Sequence, residues 1–502
     1  MQNPLHHSNE SASNQARDAV SSHEPRSLRT YTPTQAVLAR SAGVYHWTPE
    51  GRRLYDFTSG VLVANLGHNP VSWMERFVSH MGWPLRGYED RETGRQGDKK
   101  TRGQGEPNAG DSDPVSLSPL LPVSLSPDDG PVPVSFFSAL PMTAYNAVTE
   151  VETQAIRRLV ELLQSRPGGK RLEQVFWAAS GSEAIQKALW AALARDPSRP
   201  MIIATRFGFH GKKGLAGAVT GCETDHDRDP RVRFISFPMA ECADVSMRER
   251  LFDDRPYRQE LESLGRDFGH RLSVLITEPY LGGGGSYHPP KGYLQLLQEF
   301  CRENDIVFIL DEVQSNFGRT GAMFAFETYG LEPDMVVLGK GLGNGVPVAA
   351  AVGRADVFAT LDYGEGSDTW SANPLCCAAV LATLDEFGRN ILGPCHRSSA
   401  IIEEGLIRLK QLPFVGKVRG EKGGMVWGLE MQDHAGRSAA DWANATVLAC
   451  YRGLEPGGDG IHFLGPLAKK VIRIAPPLVI SETEAHEAMQ LMYRLLMPLA
   501  VT

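Results

Sequence analysis

Lys340 stands in the run Gly339-Lys340-Gly341-Leu342-Gly343-Asn344-Gly345, directly after an apolar stretch at 335–338. Glycines on both sides let backbone and ligand come close. A lysine amine that is desolvated and near other positive groups attacks aldehydes. No Ser or Thr follows the lysine, so the run is not a nucleotide-type phosphate loop. Taken alone it also suits a surface lysine in a glycine turn. Asp311 comes 29 residues earlier, in Asp311-Glu312-Val313-Gln314, and it too closes an apolar stretch. A carboxylate there needs a partner, such as a protonated ring nitrogen; a helix N-cap is the plainer alternative. Ser180-Gly181-Ser182-Glu183 opens a helical stretch, where free N–H groups and the helix dipole favour a phosphate. The Ser180 and Glu183 spacing also suits a capping box, and both readings can hold together. Phe207-Gly208-Phe209-His210-Gly211 puts an aromatic where it can stack on a flat ring, although such aromatics are often core. Glu278-Pro279, followed by four glycines at 282–285, places an acid that can anchor neighbours.

All five groups need the same support, a set of strands ending at one edge. Short unbroken apolar runs occur at 175–178, 201–204, 232–236, 274–276, 307–310, 335–338 and 349–352, alternating with helical stretches. Such runs suit strands covered on both faces, as in a mainly parallel sheet, with the chemistry beyond their carboxyl ends. The spacing of Ile156, Leu159, Val160 and Leu163 predicts a helix over 151–164. Residues 44–47 and 54–57 flank a turn at Pro49-Glu50-Gly51 and read as a hairpin. Strands at 424–430 and 471–474, among helices, indicate a second, smaller unit.

This gives an expected division. Residues 1–29 are a disordered tail, and 30–85 are the N-terminal segment of a small domain. Residues 86–134 are a low-complexity insertion. A large α/β domain spans 135–382, and the rest of the small domain 383–502. The insertion carries Pro114-Val115-Ser116-Leu117-Ser118-Pro119, repeated at 122–127, and a repeat rich in Pro and Ser builds no core.

With 502 residues, one core is not enough. The formal charge of -8 argues against general nucleic-acid binding. Seven cysteines include no C-x-x-C pair, which suits reduced thiols in the cytoplasm. No apolar run is long enough to cross a bilayer, and the polar N-terminus lacks a secretory centre. Neither a G-x-S-x-G elbow nor an H-E-x-x-H motif is present, which disfavours hydrolases of those kinds.

Together the motifs resemble the class III aminotransferases, the ornithine and 4-aminobutyrate type of pyridoxal phosphate fold type I. The resemblance runs from about residue 44 to 492, apart from the insertion. Residues 54–60 and Asn65-Leu66-Gly67-His68 are similar to the family's N-terminal signature. The resemblance implies an α/β fold: a large domain with a mainly parallel seven-stranded sheet between helices, plus a smaller α+β domain from both chain ends. It implies pyridoxal phosphate held by Lys340 as a Schiff base, with Gly181 and Ser182 on the phosphate. Phe209 would stack on the ring, with His210 beside it and Glu278 anchoring neighbours. Asp311 would pair with the pyridinium, Val313 pack behind the ring and Gln314 reach the ring hydroxyl. Thr369, in Asp368-Thr369-Trp370-Ser371, resembles the threonine that serves the neighbouring subunit's phosphate, implying a homodimer with shared sites. Arg473 resembles the arginine that clasps a substrate carboxylate, a task suited to a planar guanidinium. Lys212-Lys213 after His210-Gly211, and the missing histidine before Thr369, depart from the family pattern.

The expected reaction moves an amino group from an amine or amino acid to a 2-oxo acid by a ping-pong route, with Lys340 carrying the proton and Asp311 supporting the ring. An aminomutase, racemase or decarboxylase on the same cofactor is the alternative. A binding protein that kept the fold without its chemistry is a third reading, set against the intact Lys340 and Asp311.

Overall fold

The computed structural model describes residues 5–28, 31–83, 139–144, 147–226 and 228–500. The insertion expected at 86–134 lies outside the described residues.

Among the described residues, fifteen strands form three sheets. The N-terminal strands are β1 (Arg40–Ala42), β2 (Tyr45–Trp47) and β3 (Arg53–Asp56). Then follow β4 (Gln174–Ala178), β5 (Met201–Thr205), β6 (Val232–Ile235), β7 (Leu272–Thr277), β8 (Val307–Asp311), β9 (Met335–Leu338) and β10 (Ala349–Gly353). The last five are β11 (Val415–Gly420), β12 (Trp427–Met431), β13 (Gly460–His462), β14 (Pro466–Leu467) and β15 (Val471–Ile474).

The seven strands β4 to β10 make the central sheet, in the order β4-β10-β9-β8-β7-β5-β6. Only β10 runs antiparallel to its neighbours. The apolar runs in the sequence lie within these seven strands, apart from the last residue of the run at 232–236. Successive residues serve opposite faces, as the strand period of two requires. Ile203, Leu275, Phe308 and Val336 join one core; Ile202, Val274, Ile309 and Val337 join the other. The helix Gly181–Ala194 covers the second face with Ala184, Ile185, Ala188 and Leu189. Burial on both faces is what makes these strands uniformly apolar.

The hairpin read at 44–57 is β2 paired with β3, and β1 and β13 extend it into a four-stranded sheet. The expected helix at 151–164 is Glu150–Gln164, capped by Thr149. A separate antiparallel sheet, β11-β12-β15-β14, packs with the helix Ala439–Arg452, on which the helix Glu482–Leu496 lies in turn. The division expected after residue 382 falls inside the helix Pro374–Phe387.

The disordered tail expected at 1–29 is corrected over its described part, residues 5–28. Residues Ser11–His23 form a helix, and Ser13 and Arg17 on it are buried. The reason is polar rather than apolar, so composition hid it. Glu10 accepts hydrogen bonds from Arg17 at 2.7 Å and from Arg52 at 2.9 Å, and the Tyr451 hydroxyl donates to it at 3.1 Å. One carboxylate therefore ties the N-terminal helix to the β2–β3 turn and to a C-terminal helix. Glu10→Ala leaves two buried guanidinium groups without their counter-charge, and should cost about 3 kcal/mol of stability. A denaturant melt against the parent protein measures it.

Candidate functional site

Nine of the expected site residues sit where strands of the central sheet end. Asp311 is the last residue of β8, and Lys340 comes two residues after β9. The two strands are parallel neighbours, with Asp311 opposite Val337, so the amine and the acid reach the same edge. Glu278 follows β7, Phe209 and His210 lie beyond β5, and Gly181 and Ser182 open the helix after β4. Gly181, Ser182, Phe209, His210, Glu278, Asp311, Val313, Gln314 and Lys340 all line one cavity of about 420 Å³. Gly211, Lys212 and Lys213 complete its lining.

Asp311 is held from two sides. The backbone N–H of Val313 donates to one carboxylate oxygen at 3.0 Å, and His210 Nδ1 lies 2.7 Å from the other. His210 Nε2 is buried without a partner. The backbone N–H of Phe209 and of Gly282 donates to Glu278, at 2.9 and 3.2 Å, and Gln314 reaches the same carboxylate at 3.4 Å. Burial pushes the Glu278 carboxyl up to about 7; the His210 imidazole opposes this, and the Asp311 charge adds to it. Glu278 therefore braces the loop that carries Phe209. Val313 packs against Gly181, where a Cβ would stand only 3.0 Å from it, so any larger residue at 181 has to displace the Val313 side chain.

Burial draws the Lys340 ammonium down to about 8; Asp311 opposes this, Arg473 adds to it and Glu278 opposes it. The residue has φ +48°, a left-handed conformation unfavourable for a lysine, as occurs where a site overrides local preference. Ser180 caps its helix by accepting from the Glu183 N–H, which meets half of the capping-box pattern. Glu183 bonds the Ala179 N–H instead of closing the box.

Two sequence candidates lie outside the cavity lining. Thr369 is exposed, in a loop fixed by Asp368, which accepts from Lys187 and from the Ser371 N–H. Arg473, on β15, is buried and donates to the Gly282 carbonyl at 2.8 Å, while its Nε has no partner. No carboxylate pairs with it among the described residues. Sequence reasoning gave no role to Arg419, whose Nε donates to the Gly285 carbonyl at 2.8 Å. Two arginines of the C-terminal sheet thus hold both ends of the four-glycine loop. No local signal marked Arg419, since it reads as an ordinary strand residue.

Residues 138–496 match the model of the aminotransferase class-III family. The chain belongs to the class-III aminotransferases. Acetylornithine aminotransferase of Caldanaerobacter subterraneus is 32% identical over 235 residues, 46% of this chain and 56% of that protein. Ornithine aminotransferase of Bacillus cereus is 34% identical over 234 residues, 46% of this chain and 54% of that protein. This class-III aminotransferase therefore spans little more than half the length of these curated relatives. An omega-transaminase structure from Thermomicrobium roseum superposes with a TM-score of 0.69 at 25% identity, over 92% of each chain. The ornithine aminotransferase structure from Toxoplasma gondii gives 0.71 at 20% identity, over 97% of this chain and 95% of that one. Its fold is that of pyridoxal phosphate fold type I.

The cavity of this class-III aminotransferase fits pyridoxal phosphate. It offers an amine of lowered basicity, a fixed carboxylate and a helix opening for an anion. The unpartnered His210 Nε2 and Gln314 Oε1 leave polar atoms for a ligand to meet. A neutral amine is the reactive form, so the pH profile follows Lys340. In the cofactor-free protein, trapping of an aromatic aldehyde at residue 340 with borohydride should rise about tenfold from pH 7 to 9, then level off. A rise continuing to pH 10.5, read by mass spectrometry, would mean an ordinary lysine.

Proposed function

We propose that this protein is a pyridoxal phosphate-dependent transaminase that moves an amino group from an amine or amino acid to a 2-oxo acid. The carrying observation is the convergence of Lys340 and Asp311 in one cavity. When bound, the cofactor supplies an aldehyde and an electron-accepting ring. Lys340 holds it, and its freed amine moves the proton at the substrate carbon. Asp311, fixed by His210 and the Val313 N–H, keeps the ring nitrogen protonated. Gly181 and Ser182 hold the phosphate. Phe209 would stack on the ring, Val313 would back it and Gln314 would meet the ring hydroxyl. Glu278 braces this set.

Arg473 is the substrate-carboxylate residue in this reading. A buried guanidinium with one backbone contact and no counter-ion favours an incoming anion. Lys212 and Lys213 at the mouth have no ion-pair partner among the described residues, and they favour acidic substrates too. Acetylornithine, ornithine and 4-aminobutyrate aminotransferases among the relatives make amino acids the expected donors and 2-oxo acids the acceptors.

A homodimer with shared sites belongs to the same proposal. Thr369 points its loop to solvent beside Trp370, which is 59% exposed, and Phe209 at the mouth is 42% exposed. A second subunit would cover these and bring its Thr369 to the phosphate. Seven free cysteines without a disulfide support a cytoplasmic setting. No helix among the described residues is long and apolar enough to cross a membrane.

Lys340→Ala should abolish turnover, whereas Arg473→Gln should raise KM for the carboxylate substrate by about 100-fold with a smaller loss in kcat. In single-turnover assays without 2-oxo acid, the enzyme should release one oxo product per site and then stop. Continued turnover without an acceptor would sink the transaminase reading.

A further inference from the structure

Away from the cofactor cavity, His46 on β2, Asp56 ending β3 and His68 in the following loop converge. Their donor atoms all lie within 4.8 Å of one another. His46 and Asp56 are buried, and His68 is nearly so. Asp56 Oδ1 accepts from the Thr58 N–H and hydroxyl, both at 2.7 Å, which turns Oδ2 to the imidazoles. His68 Nε2 lies 2.6 Å from Oδ2, and His46 Nε2 3.5 Å from it. The other nitrogen of His46 is fixed by the Ser41 hydroxyl at 2.7 Å. His462, paired with Asp56 across the β13–β3 register, has its ring centroid 5.6 Å from that of His46. Its Nδ1 is buried without a partner.

We infer that His46, Asp56 and His68 form a binding site for a divalent transition-metal ion of the zinc type, separate from the cofactor site. Two imidazoles and a carboxylate are a donor set that zinc accepts, leaving a position for water. Both His46 and Asp56 already have the outer hydrogen bonds that orient metal ligands. Two imidazoles compete for one carboxylate oxygen, and no lysine or arginine hydrogen-bonds Asp56 among the described residues. A buried carboxylate with no such partner favours a cation. Donors around tetrahedral zinc stand about 3.3 Å apart. The His46–Asp56 spacing is close to this, the His68–Asp56 contact has to open by about 0.7 Å, and the two imidazole nitrogens, within 4.8 Å of each other, have to draw in to the same spacing. Because the donors come from β2, β3 and the loop at 65–69, the bound ion would staple the N-terminal sheet.

The test uses the cofactor-loaded enzyme, stripped of metal by a chelator and titrated with Zn2+, and with Co2+ as a spectroscopic substitute. The expected result is one Zn2+ per chain, a raised Tm and an X-ray absorption spectrum showing imidazole and oxygen ligands. His46→Gln and His68→Gln should each weaken binding about 100-fold, and Ser41→Ala, which touches no metal, about tenfold. Amino transfer by Ser41→Ala should stay at the parent level. No stoichiometric binding, sulfur among the ligands, or fewer than two imidazoles would each overturn the proposal. The last two readings need only the parent protein, so a variant that fails to fold leaves the proposal refutable. Unchanged affinity in folded His46→Gln and His68→Gln would overturn it too.

Discussion

A lysine amine and a carboxylate held at the ends of adjacent buried strands impose the main constraint on this molecule. Neither charge is tolerable in that environment without compensation. The amine responds by losing basicity, and the acid by taking hydrogen bonds from His210 and the Val313 N–H. Burial is what makes the pair useful, since a lysine in water at neutral pH stays protonated and inert toward aldehydes. The sheet supplies this environment because both its faces are covered. The cavity forms only where its strands stop.

The rest of the fold keeps that edge in register. Glu278 holds the Phe209 segment and the start of the glycine loop with the same carboxylate. Arg473 and Arg419 reach that loop from the C-terminal sheet. Arg419 also pairs with Glu430 at 2.5 Å and lies over the Tyr287 ring at 4.0 Å. A shift of the C-terminal sheet would therefore reach the cofactor cavity through the loop at 282–285. Glycines suit this loop for a steric reason. A Cβ at Gly283 would stand 3.1 Å from Phe209, and one at Gly428 on the facing strand would stand 2.8 Å from the Gly285 carbonyl.

The N-terminal region is joined to this body by polar contacts. Asn65 accepts from both Nε and a terminal nitrogen of Arg319, at 2.9 and 2.7 Å, and Arg319 is itself wholly buried. Asn344, in the loop after Lys340, accepts from the Leu66 N–H at 3.0 Å. The segment similar to the family's N-terminal signature thus touches the loop that carries Lys340. Its residues are polar because they satisfy buried groups on both sides of the junction.

The sequence by itself determined the seven central strands, the helix over 151–164, and the residues that end the strands. These features are local: an apolar run covered on both faces, and a polar residue where it stops. It also placed an amine at Lys340 and a carboxylate at Asp311, at or just after the ends of two of those strands. Tertiary structure alone decided that β10 turns antiparallel, that His210 meets Asp311 across 101 residues, and that Arg473 reaches Gly282. It decided that a polar N-terminal stretch becomes a docked helix, because Glu10 finds two arginines distant in sequence. It also gathered His46, Asp56 and His68 into one cluster. Such contacts depend on which strands become neighbours, and no pattern within a single segment encodes that.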